Sequence, residues 1–312
     1  MKKGRIFTNC LFIVCTLMAA ISFTSCSADS DSSYSGIDES VIKNADSQTE
    51  APFSVVLKAY SDNKDITVKG DVDQTTLFVF DQNGDYYTQV SLDKTYLLQA
   101  KPVEISCPGS KQITVVAWAG LSSDSENISA MSKANIISDL QVSLKQNNGV
   151  AAALPGDLFY GQITLKNTAT KAGVETLKIE RKVSSISLIT KGVIKMLDSR
   201  EGNFYYKVKK TNASFDHNGK LTGEEIEYII PATMDAKGNV IADNTAILPA
   251  SDVTIELYKD DNMILSSKNV ENSEKVSVNE GEQSEITFDL SKNNCNIVVA
   301  DWGTVITHVT IG

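Results

Sequence analysis

Apolar residues recur along most of this chain in short runs that alternate with polar neighbours. A period of two belongs to half-buried β-strands. From Pro52 onward Val55 and Leu57 set this alternation. Leu77-Phe78-Val79-Phe80 is a short apolar run that stops at Asp81-Gln82-Asn83-Gly84-Asp85, and Tyr86-Tyr87 and Val90 resume after it. The Asn-Gly between the two runs predicts a hairpin, because both residue types tolerate positive φ. Ile113 to Trp118 is another β-branched run, closed by Gly120. Ser129 to Asp139, with Met131, Ile136 and Ile137, is the most helix-like stretch. Leu140, Val142 and Leu144 then alternate, and Leu158-Phe159-Tyr160-Gly161 leads into Ile163 and Leu165. Leu177 to Ile189 reads as one long strand, bulged where the alternation breaks around Val183 and Ile186.

After Gly192 the same grammar repeats. Phe204-Tyr205-Tyr206 and Val208 form one run, and Asp216-His217-Asn218-Gly219 is a turn. Ile226, Tyr228 and Ile230 alternate, Lys237-Gly238-Asn239 turns, and Val253, Ile255 and Leu257 alternate again. Ile286, Phe288 and Leu290 follow, then Ile297 to Trp302 and Val305 to Ile311. Many short strands with turns between them and hardly any helical period predict an all-β protein. A length of 312 residues accommodates two β-sandwich domains, expected at 51–192 and 193–312.

The first fifty residues follow neither pattern. Lys2, Lys3 and Arg5 precede the apolar run Leu11 to Ile21, and Phe23-Thr24-Ser25 lead into Cys26. This order is a secretory signal, with an apolar core too short to span a bilayer. A cysteine at the cleavage point looks like a bacterial lipobox, with Phe23 where leucine is usual. Residues 1–25 are then the signal, and Cys26 becomes the acylated first residue of the mature chain. Ser27 to Glu50 is rich in Ser and Asp, so residues 26–50 read as a flexible tether.

Composition excludes several functions. The formal net charge is −10, and it becomes more negative once Lys2, Lys3 and Arg5 leave with the signal. Such a surface argues against nucleic acid, and no basic stripe is present for anionic lipid. Cys107 and Cys295 lie in different expected domains and read as two separately buried thiols. Only His217 and His308 are available as imidazoles, and no His/Cys clustering suits a metal. The loops at Asp81 and Asp216 begin like calcium loops, but neither has the distal glutamate and both sit between strands, so hairpin turns explain them. Trp118 and Trp302 fall in or beside apolar strands, where core or interface packing is the default over a glycan platform. No phosphate loop, nucleophile elbow or other catalytic constellation can be assembled. No enzyme, metal or cofactor is therefore expected.

Taken in order, the lipobox at Cys26, "FVFDQNGDYY", "QITVVAWAGL" (112–121), "DLFYGQITL" (157–165), "IERKVSSISLITKGV" (179–193) and the ending "VVADWGTVITHVTIG" carry a resemblance. They resemble the FimB-type fimbrial anchor lipoproteins of Bacteroidales, relatives of the fimbrillins that build type V pili. The resemblance implies two transthyretin-like β-sandwich domains. It also implies a non-enzymatic pilus component in the outer membrane that anchors the fibre and limits its length, with fimbrillin-like subunits as partners. In that family stalk subunits lose an N-terminal strand by proteolysis, usually after an arginine, and the opened groove accepts a neighbour's strand.

Here no arginine lies between Cys26 and Glu180, and Arg181 is the first beyond the signal. Lysines such as Lys43 or Lys58 remain as other cleavage points. The strand around Phe53 to Tyr60 is accordingly expected to stay and fill its own groove, with Phe53, Val55 and Leu57 pointing inward. Val305, Thr307, Val309 and Ile311 share one face of a final strand that either pairs within its own domain or is given to a neighbour. Val305, Val309 and Ile311 are the expected contacts in the second case. A stalk or tip subunit of the same pilus is a close variant, and a surface lipoprotein that captures glycans is the competing reading.

Overall fold

In a computed structural model, residues 51–167, 173–273, 276–304 and 306 are described. The chain starts with β1 (Phe53–Ser61), β2 (Lys64–Asp65), β3 (Gln74–Phe80), β4 (Tyr86–Asp93), the short helix α1 (Lys94–Leu98), β5 (Val103–Ile105) and β6 (Gln112–Ala119). Four short strands follow: β7 (Glu126–Ile128), β8 (Val142–Leu144), β9 (Gln146–Asn147) and β10 (Val150–Ala151). Next come β11 (Phe159–Lys166), β12 (Val174–Arg181) and β13 (Ser184–Lys191). The last group is β14 (Phe204–Phe215), β15 (Leu221–Met234), β16 (Val240–Ile247), β17 (Thr254–Lys259), β18 (Asn262–Ser266), β19 (Glu282–Asp289) and β20 (Asn294–Asp301). The all-β, sandwich-like expectation is met.

The first sheet runs β2-β1-β12-β11-β6-β3-β4, with β5 also on β1. It folds back on itself at one corner. β11 pairs with β6 over eight residue pairs but with β12 only at Phe159–Arg181 and Tyr160–Glu180. Between the two leaves lies one core, in which Val55 and Leu57 of β1 and Leu177 and Ile179 of β12 join Leu77, Val79, Val115 and Ala117. The opposite faces of β3 and β6 carry Phe78, Phe80, Val116 and Trp118 into a second core. That explains why Leu77–Phe80 and Val115–Ala119 are unbroken apolar runs: both of their faces are dry.

The second sheet runs β18-β17-β14-β15-β16-β13-β19-β20. The 14-residue β15 passes from one leaf to the other, pairing with β14 as far as Ala232 and with β16 at Thr233 and Met234. Each sheet contains one parallel pairing of seven residue pairs involving an early strand, β1 with β12 and β13 with β19. Trp118 ties the two sheets together, with ring centroids 5.0 Å from Tyr160 and 5.5 Å from Phe215.

Three sequence expectations need correction. Leu177 to Ile189 is two strands in different sheets, and the broken alternation at Lys182-Val183 is the crossover between them. The chain therefore changes sheet one strand ahead of Gly192, and β7 to β10 also attach to the second sheet. The stretch Ser129–Asp139 forms only a 3-10 turn at Ile137–Asp139. The one α-helix among the described residues is α1, where Asp93 accepts from the Thr95 N–H at 2.8 Å as N-cap. The Asn-Gly hairpin is present between β3 and β4, but only Gly84 takes positive φ (+87°). Asp81 caps the turn instead, its Oδ1 accepting from Asn83 N (2.8 Å) and Asp85 N (3.0 Å). Asp216 and Asp235 cap the β14–β15 and β15–β16 turns with the same two bonds. All three aspartates are thereby committed to backbone N–H groups as turn caps.

Candidate assembly site at the first strand

Along β1 inward and outward residues alternate strictly, so Phe53, Val55, Leu57, Ala59 and Ser61 are buried. The three expected groove-filling residues thus lie side by side on one face, with Val55 and Leu57 fully inaccessible and Phe53 4 % exposed. Each contributes roughly 1.5–3 kcal/mol by leaving water. The strand is hydrogen-bonded on both flanks. β12 runs parallel to it from Ser54–Val174 to Tyr60–Glu180, β5 lies against its start and β2 against its end. Ile66 N further donates to Ala59 O at 2.8 Å, and Ala59 N donates to Thr67 Oγ1 at 3.0 Å.

At the far end of β1 stands Arg181. Leu177, Ile179 and Arg181 share one parity on β12, so the guanidinium is directed inward and its side chain is 2 % exposed. Its Nε and Nη2 donate to the two carboxylate oxygens of Asp157, at 2.6 and 2.8 Å. Nη1 donates to Ser61 Oγ at 2.8 Å, and Asp71 lies 3.7 Å from Nη2. The guanidinium carbon sits 4.8 Å from the Phe159 ring centroid and 4.4 Å from that of Trp302. Cation–π contacts with two rings, together with a two-pronged carboxylate, suit arginine. Burial pushes the Asp157 carboxyl up, and the bonds from Arg181 counter this only in part. Ser61 Oγ passes the connection on by donating to Gly281 O at 3.2 Å, just ahead of β19. A cleft of about 650 Å³ opens beside this group, lined by Ser61, Lys64, Asp71, Arg181, Asp301 and Trp302.

The other arginine after the signal, Arg200, is exposed and donates to Asp235 O and Ala236 O at 3.2 Å each. Trp118 is fully buried. Cys107 and Cys295 are unpaired with each other and buried in different cores, and burial pushes the Cys295 thiol up to about 11. Cys26, Val305, Val309 and Ile311 lie outside the described residues. Ile306, between two of them, borders a small groove with Ser187, Asn244, Gln283 and Glu285. Reading the residues for chemistry missed the group around Arg181. Its signal was there in the parity of Leu177, Ile179 and Arg181, which directs a charge into the sheet interior.

Comparison with known proteins finds a match over residues 46–308 to the family of fimbrillin-A associated anchor proteins Mfa1 and Mfa2. The major fimbrium anchoring subunit FimB of Porphyromonas gingivalis is 25 % identical over 271 residues, covering 83 % of this chain and 88 % of that one. Among solved structures, a candidate polysaccharide-binding protein of Bacteroides thetaiotaomicron superposes with a TM-score of 0.64. It is 19 % identical and covers 83 % of this chain and 99 % of its own. The fimbrial anchor protein Mfa2 of Porphyromonas gingivalis gives a TM-score of 0.58 at 16 % identity, covering 80 % and 98 %. These two likenesses concern the fold.

Proposed function

This chain belongs to the family of fimbrillin-A associated anchor proteins, and from that premise we propose that it fixes a pilus to the outer membrane through lipid on Cys26 and ends the polymer with its own β1. A fimbrial anchor or assembly subunit is the role its relatives support. The observation that carries the finer reading is the state of β1. Strand addition needs an open groove bounded by unpaired backbone. Here the groove holds Phe53, Val55 and Leu57, and β1 pairs with β12 over seven residue pairs. The stretch before it contains no arginine after Cys26, and Arg181 is buried. An arginine-specific protease therefore has no site from which to release the strand. A filled groove accepts no further subunit, while Val305, Val309 and Ile311 would engage the neighbouring fimbrillin-like subunit. The protein would work at the cell surface as part of the fimbrium, without catalysis.

The test is the mature N-terminus of the protein taken from its native membrane. Mass spectrometry should find acylated Cys26 joined to an intact β1, and Cys26→Ala should move the protein out of the membrane fraction. An unlipidated terminus at Pro52 or beyond would instead make it a stalk or tip subunit. The glycan reading loses its first platform, because Trp118 is fully buried and Trp302 lies against Arg181.

A further inference from the structure

The first and the last described strands meet at Arg181. The C-terminal end of β1 is bound to it through Ser61. The chain leaving β20 reaches it through Trp302, whose ring makes a cation–π contact with the guanidinium. A second link runs beside the first, since Lys64 of β2 forms an ion pair with Asp301, the last residue of β20. Phe53, where the chain comes into the fold, is at the other end of β1, roughly 27 Å away for a nine-residue strand.

The position of these links matters because of how β20 is held. Among the described strands it pairs with β19 alone, besides one bridge between Glu271 and Asn294 at its start, and Glu282–Asp301 is its last pair. A pull on the C-terminal end would open this hairpin from that pair inward, one residue pair after another, which takes little force. The contacts of Asp301 and Trp302 sit where such peeling would begin. They pass the pull instead to Arg181 at the end of β12, and to the β1–β2 hairpin. A pull on the N-terminal end draws β1 the opposite way. β1 and β12 are parallel, so opposed pulls slide them against each other and strain all seven pairs at once.

We propose that Arg181, Trp302, Lys64 and Asp301 form a tension clasp that keeps β20 from peeling: the Trp302–Arg181 contact directs force between the two termini into the β1–β12 pairing in shear, and the Lys64–Asp301 pair passes the rest along β1 itself. This inference rests on the anchor reading, in which the membrane pulls one terminus and the fibre the other. It adds that β1 carries the tension besides closing the groove.

Optical-tweezers pulling on residues 27–312, with handles at the two termini, tests it. The wild type should resist until one cooperative high-force event. Lys64→Ala changes an exposed residue and should leave the urea midpoint nearly unmoved, whereas Trp302→Ala removes a ring packed against the second core and should lower it. Both should lose part of that resistance, showing an early low-force lengthening equal to the release of β20. Forced unfolding follows the unfolding barrier rather than equilibrium stability, so the two readouts separate. Identical force traces for wild type and both variants would overturn the clasp, as would low-force peeling of β20 in the wild type. A clasp that fails leaves acylated Cys26 and retained β1 untouched, whereas a cleaved N-terminus with a working clasp would sink the anchor reading alone.

Discussion

At the scale of single residues, the fold depends on a charge placed where an apolar side chain is expected. Arg181 satisfies Asp157, hydrogen-bonds Ser61 and fills the space between Phe159 and Trp302. Arg181→Ala leaves Asp157 without its partner and opens a gap between two rings. A broken buried pair costs about 3–5 kcal/mol, and the lower end applies because Asp157 keeps some contact with water. Arg181→Lys keeps the charge but loses the two-pronged geometry and part of the contact with the two rings, so it should recover only part of the loss. Urea denaturation of the three proteins should rank wild type, lysine, alanine in falling midpoint. The inward direction of Arg181 was legible from its parity with Leu177 and Ile179. Its partners were not, because Ser61, Asp157 and Trp302 are 120, 24 and 121 positions away in the chain and no local period links them.

At the scale of elements, β1 is the strand with the clearest sequence signal and the one on which the proposed role rests. Its strict alternation is legible because one face is dry and the other meets polar surroundings. The continuous runs of β3 and β6 gave the strands but concealed that their two faces serve two cores. The weak helical pattern at Ser129–Asp139 failed for a related reason. The segment is held by bonds from its ends, such as Tyr86 N to Asn135 O and Ile137 N to Gly84 O, which fix an irregular path across the β3–β4 turn. If β1 fills a groove that would otherwise accept a neighbour's strand, the groove should outlive the strand's covalent attachment. A chain beginning at Asp62 should be destabilised and prone to associate. A synthetic peptide covering Phe53–Ser61 should restore the thermal midpoint and the monomeric elution, while the same peptide with Val55 and Leu57 changed to Ser should not. Calorimetry and size-exclusion chromatography with and without peptide check this. Restoration by both peptides alike would show that groove filling is not what β1 supplies.

At the scale of the whole molecule, the proposed role makes the covalent state of the N-terminus decide between ending a fibre and extending it. The described fold holds no arginine before Arg181, whose side chain is 2 % exposed and clamped between two rings. Proteolysis needs several residues of accessible, extendable backbone around the bond, and the last position of a paired strand offers none. Arg200 has an exposed side chain between 3-10 and strand elements, so an arginine-specific protease should cut there if anywhere, leaving β1 in place. Placing an arginine just ahead of the described residues, as Gln48→Arg, supplies the missing site. With the protease present, this variant should lose its lipidated end. Cleavage alone will not expel β1, since seven residue pairs and three buried apolar side chains still hold it. Exchange should therefore be slow and speed up when Val55→Ala and Leu57→Ala weaken the strand, by about 1–5 kcal/mol each. The readout is incorporation of a labelled fimbrillin-like subunit or of a peptide matching its donated strand. Uptake that requires both the cut and the weakened strand would mean that this anchor differs from an extending subunit by one cleavage site and the grip of one strand. Uptake by the uncut wild type would mean that the groove is open by another route and that β1 does not end the fibre.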